Sequence, residues 1–105
     1  MRLFGGLRAC HRIDELELKV IELQARIKRE SCLDEDVLAA FQSARCNLSV
    51  GRIYTDGIVK HGLLAAWDWG YTDHANKAAT QGEFDVIKGN RLLDAIPPCS
   101  SKTCA

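Results

Sequence analysis

The stretch LLAAWDWGYTDH, residues 63 to 74, sets Trp67, Trp69 and Tyr71 close together and threads Asp68, Asp73 and His74 among them. A carboxylate and an imidazole in one cleft can share general acid–base work, whereas clustered Trp and Tyr rings dominate protein recognition hot spots. Four other features are of types suited to chemistry. Asp14, Glu15, Glu17 and Glu22 could belong to the carboxylate cluster of a metal-dependent helical hydrolase. Such a centre needs partner carboxylates from a second helix, and Asp34, Glu35 and Asp36 fall where a turn is expected. A solvated face is the better reading. Cys99 and Cys104, with His11, His61 and His74 elsewhere, lack the close cysteine pair and second ligand pair of a zinc site. Neither FGGLR nor IKGN has the spacing of a phosphate-cradling loop, and no serine has an arranged base. The expectation is a protein without catalysis, metal or cofactor, with His74 a surface residue of a helix's first turn.

The elements that position these residues follow from the bulk properties and the apolar pattern. A chain of 105 residues, 47% hydrophobic and 27% charged, has the length and composition of one globular domain. Its 14 basic and 14 acidic residues cancel, so no global field draws it to nucleic acid or an anionic membrane. Half of the basic residues lie in the first 29 positions, but acids are interleaved with them, which makes nucleic acid an unlikely partner. No apolar run reaches the length of a membrane span, and the start MRLFGGLRACHR is too soon interrupted to serve as a secretion signal. Five irregularly spaced cysteines make a poor disulfide framework, so a cytoplasmic protein with reduced thiols is expected.

Ile13, Leu16, Val20, Leu23 and Ile27 alternate steps of three and four, which predicts a first helix over about 10–29. Leu18 and Ile21 lie beside this seam and are expected to widen its apolar face. A turn follows at 30–34, with Ser31 or Asp34 capping the next helix. RIYTDGIVK resembles a β-hairpin through its Asp-Gly pair, yet neither face of that hairpin would be cleanly apolar. The helical stripe Val37, Phe41, Ala44, Leu48, Gly51, Thr55, Ile58, Gly62, Ala65, Trp69 fits better and predicts a second helix over 34–69, ~52 Å long at 1.5 Å per residue. Gly70 ends it as a left-handed cap, and Thr72 or Asp73 caps a third helix over 73–96. The third stripe is Ala75, Ala79, Gly82, Val86, Gly89, Leu93 and Ile96, stopped by Pro97-Pro98. Residues 1–96 thus form one helical domain and 97–105 a tail.

The predicted fold is all-α, an antiparallel three-helix bundle with a long central helix. The alternative is an elongated oligomeric coiled-coil assembly in which the first two helices, which share a heptad phase through Glu30 and Asp34, run on as one. On the predicted stripe Trp69 is core, and Trp67 lies about 200° round the helix on the surface. Gly62 and Gly89 are expected at close helix contacts and Gly57 off the stripe. The end of the second helix is then apolar all round, and Leu63, Leu64, Trp67, Tyr71 and His74 become the expected partner-binding residues. These features point to a small protein-binding module, an adaptor or inhibitor of the kind viruses and mobile elements encode, self-associating as a homo-oligomer. The other reading is an oligomer that sequesters a small anionic ligand such as a nucleotide, clamped between arginines and rings.

Overall fold

A computed structural model describes residues 4–30 and 34–95. Every described segment of any length is helical: α1 (Phe4–Glu30), α2 (Glu35–His61), the short α3 (Leu63–Asp68) and α4 (Tyr71–Ala95). The apolar spacing of the three long helices dictates their faces. Ile13, Leu16, Val20, Leu23 and Ile27 are all buried on α1, Val37 to Ile58 of the second stripe on α2, and Ala75 to Leu93 of the third on α4. Ile96 and the tail 97–105 lie outside the described residues, as does Ser31 as a candidate cap.

Constant offsets between hydrogen-bonded partners give the directions. Arg12 meets Asn76 and Arg26 meets Asn90, so α1 and α4 run parallel. Gly6 faces Ile58 while Gly51 faces Ile13, and Gly82 faces Leu48 while Gly89 faces Ala40, so α2 runs antiparallel to both. The bundle is a rod of 60 × 19 × 16 Å. Small residues on α2 and α4 let those two backbones approach closely. A Cβ on Gly82 would stand 2.7 Å from Leu48 Cδ2, and one on Gly89 would stand 3.0 Å from Leu23 Cδ2 and 3.7 Å from the Ala40 methyl.

Polar side chains lock α1 onto this pair. Arg12 donates from Nη1 to the Asn76 carbonyl and Oδ1, and from Nη2 to Thr80 Oγ1 at 3.0 Å. Arg26 repeats the arrangement two heptads on, donating to the Asn90 carbonyl and Oδ1 and pairing with Asp94. Arg52 reaches back from α2 to Asp14 (2.6 Å) and Glu17. Bonded to two carboxylates, its guanidinium is held further toward the charged form than usual and stays protonated at every pH the fold meets.

Five expectations need correction. The second helix does not run to 69: it stops at His61, and Gly62 turns the chain with φ +92°. Gly62 is therefore not at a close helix contact, since a Cβ there would meet nothing within 4 Å; the positive φ is what requires glycine. The third helix begins at Tyr71, with the Gly70 carbonyl accepting from His74 N–H. This places Thr72 and Asp73 inside the first turn, not at the cap. Leu18 and Ile21 are 62% and 60% exposed and do not widen the core face, because α2 and α4 cover only the narrow seam. The first helix starts at Phe4, not near 10, and its early glycines have tertiary support: a Cβ on Gly6 would stand 2.8 Å from Leu63 Cδ2.

A continuous α1–α2 helix is also not what this chain forms. Asp34 has extended backbone (φ −117°, ψ 127°), and its Oδ1 accepts from the N–H groups of Asp36 and Val37, so it caps a helix that starts anew. Gly70, by contrast, has φ +78° as a left-handed turn residue, as the sequence suggests. Gly57 is helical with no positive φ, which removes the hairpin.

Candidate recognition surface at the α2–α3–α4 corner

The break at Gly62 decides where the rings go. Had α2 continued, Ala65 and Trp69 would have followed Ile58 into the core. The turn resets the phase, so Ala66 is the fully buried residue of α3 and Trp69 is 53% exposed. Trp67 is half-buried. The expected assignment, Trp69 in the core and Trp67 outside, is wrong for Trp69, and the cause is the new helix direction after Gly62.

Trp69 instead joins a chain of rings. It packs edge-on against His61 (centroids 5.0 Å apart, planes at 72°) and against Tyr71 (5.6 Å, 64°). Tyr71 continues edge-on to Tyr54 (5.4 Å, 67°), and His74 stacks on Tyr54 (4.9 Å, 19°). His61, Trp69, Tyr71, Tyr54 and His74 therefore form one path of rings at distances and angles that aromatic pairs prefer. Two elements supply it from opposite sides: Tyr54 and His61, two turns apart on α2, and Tyr71 and His74, one turn apart at the start of α4. Beneath it lie Ala9, Ile58, Ala66 and Ala75, with Leu63 packed against them. Leu64, on α3, is strongly exposed.

Of the expected partner-binding residues, Tyr71 and His74 lie in the path, Leu64 is exposed on α3, and Leu63 packs inward. Trp67 occupies the same short helix, α3, half-buried. Tyr54, His61 and Trp69 are members that the sequence reading missed. Tyr54 and His61 lie off the apolar stripe read for the second helix, and only their spacing from Ile58 hints at a common edge.

Gly57, although off the apolar stripe, is part of this corner. A Cβ there would stand 2.7 Å from Tyr71 Cε2, a distance at which the ring must move. Gly57→Ala is expected to lower the melting temperature, overpacking outweighing the gain in helix propensity of up to ~1 kcal/mol. A raised melting temperature would show that Tyr71 does not lie over Gly57.

His74 is stacked on a phenol face and His61 is packed against Trp69, while Asp14 and Glu17 of the acidic set on α1 are bonded to Arg52. Among the described residues no three His, Cys, Asp or Glu side chains gather as a metal would need, and no helix is long and apolar enough to cross a membrane. A groove of 680 Å³ between α1 and α4, lined in part by Leu16, Lys19, Glu22, Glu83 and Val86, contains none of the ring residues.

The chain matches no family model, no curated protein and no solved structure.

The two described cysteines differ in environment. Cys10 is partly buried on α1, and burial together with the nearby Asp14 carboxylate raises its thiol above the ordinary value. Cys46 is exposed on α2. Thiolate is the reactive form, so an alkylating reagent at neutral pH is expected to label Cys46 well before Cys10, as peptide mapping by mass spectrometry would read. Equal labelling would place Cys10 in water.

Proposed function

We propose that this chain is a small non-catalytic protein-binding module, an adaptor or inhibitor, that engages its partner through the ring path and Leu64. One observation carries the reading: five rings are in unbroken contact at one corner, and Trp69, the largest of them, keeps more than half of its surface in solvent. Rigid rings with few rotatable bonds offer contact area at low entropic cost, and Trp and Tyr are enriched among residues that dominate binding energy. The net charge of zero adds no long-range steering, so contact area and shape would have to select the partner.

The nucleotide-sequestering reading has less support. It needs arginines against rings, and the Arg45–Phe41 contact at 5.7 Å lies roughly 14–20 Å along α2 from Tyr54 at 1.5 Å per residue.

The test uses the full chain as bait in a lysate of the cell that encodes it, alongside a Leu64→Asp variant. Leu64 is exposed, so the variant keeps its melting temperature. The proposal expects a protein retained by the wild type and lost by the variant. Retention of the same proteins by both, or a melting temperature raised by nucleotides, would count against it.

A further inference from the structure

The outward face of α4 sets exposed apolar side chains among unpaired cations. Phe84 and Ile87, one turn apart, are 65% and 46% exposed. At ~100° per residue, Lys77, Lys88 and Arg91 fall within about 60° of Phe84 and so share its face. Thr80 and Gln81, in the same arc, are uncharged. All three cations are exposed, and among the described residues none of them forms an ion pair. Phe84, Ile87, Lys88, Arg91 and Leu92 line a depression of 390 Å³. Contiguous exposed apolar surface with a polar rim is what interaction sites present.

The acids of α4 set the edges of this strip. Asp94 pairs with Arg26 of α1, and Glu83 lines the groove between α1 and α4. On the other side Asp85 accepts from Ser43 and Asn47 of α2. Asp73 shares the face but lies in the helix's first turn, beyond Lys77. A flat anionic membrane laid on α4 would meet these carboxylates as well as the cations. Three bases also fall short of the ~4–8 that mark lipid-binding clusters. A rod one helix wide touches the strip and misses its edges.

We propose that this face is a second docking site, and that its occupant is an acidic amphipathic helix of a partner protein. The occupant's apolar side chains, spaced i, i+3 and i+7, enter the depression beside Phe84 and Ile87. Its Asp and Glu side chains meet Lys77, Lys88 and Arg91, which span ~21 Å of α4 at 1.5 Å per residue. Phe84 lies ~20 Å along α4 from Tyr71, so the site stands apart from the ring path and does not depend on it.

The probe is a helical peptide about 18 residues long, ~27 Å, with leucines at that spacing and glutamates beside them. A second peptide carries lysines in place of the glutamates. Each is titrated into the full, isotope-labelled chain and followed by the chain's amide NMR signals. The acidic peptide is expected to shift the amides of residues 84–91, and the basic peptide to leave them in place. Lys88→Glu with Arg91→Glu should weaken the acidic peptide about tenfold or more, as should Phe84→Ser. These side chains are exposed, so both variants keep the wild-type melting temperature. Trp69→Ala should bind the acidic peptide as the wild type does, which separates this site from the ring path. The proposal is overturned if the two peptides shift the same amides equally, or if the charge-reversed protein binds the acidic peptide as well as the wild type. It is also overturned if vesicles with about 30% phosphatidylserine shift residues 84–91 and the acidic peptide does not.

Discussion

Leu23→Ala is expected to cost about 3–5 kcal/mol of folding stability, whereas Ile21→Ala, two residues earlier, costs less than ~0.5 kcal/mol. Leu23 is 1% exposed, wedged against the backbone of Gly89, and Ile21 is 60% exposed. A missing side chain at 23 leaves a void that α4 cannot close, because Gly89 offers no side chain to fill it. A domain of this size has only some 5–15 kcal/mol in total, so the first variant loses much of its folded population in mild denaturant and the second does not. Chemical denaturation of both measures the difference. Equal losses would mean that α2 and α4 cover α1 over a wider face than the narrow seam.

The second large effect concerns the two tryptophans. Trp69→Ala is expected to leave the melting temperature nearly unchanged, since the ring is half in solvent and packs on other surface rings. It should weaken partner binding by about 2 kcal/mol or more, as truncation of a hot-spot residue does. Trp67→Ala should do the reverse in proportion. Trp67 is half-buried on α3, so truncating its ring removes packed side-chain surface and loosens the corner before it affects any surface contact. Thermal melts of the two variants, run side by side, separate the roles. A Trp69 variant that unfolds as readily as the Trp67 variant would return Trp69 to the core.

The contrast between these residues also shows what was legible in the sequence. Periodicity located the buried face of all three long helices, because apolar spacing reports helix phase directly as long as the helix is unbroken. It could not report where a helix breaks. The stripe running through Gly62 to Trp69 looked continuous, since Ala65 and Trp69 are apolar at the right interval. The stop signal was nonetheless present: Lys60 and His61 in a last turn, followed by glycine. Once that break is missed, every ring after it is assigned to the wrong side, and Tyr54 and His61 are never brought next to Tyr71 and Trp69. The width of the α1 face was equally hidden, because Leu18 and Ile21 are apolar whether or not a neighbour covers them. The clamps on α4 left a trace that gains meaning only in three dimensions, in the equal spacing of Arg12 to Arg26 and of Asn76 to Asn90.

Titration calorimetry of the captured partner against wild type and Trp69→Ala is the most direct test of the ring path as the recognition surface. With the two melting temperatures matched, the dissociation constant is predicted to rise about 30-fold or more, the equivalent of ~2 kcal/mol. Equal affinities for the two proteins would contradict the account.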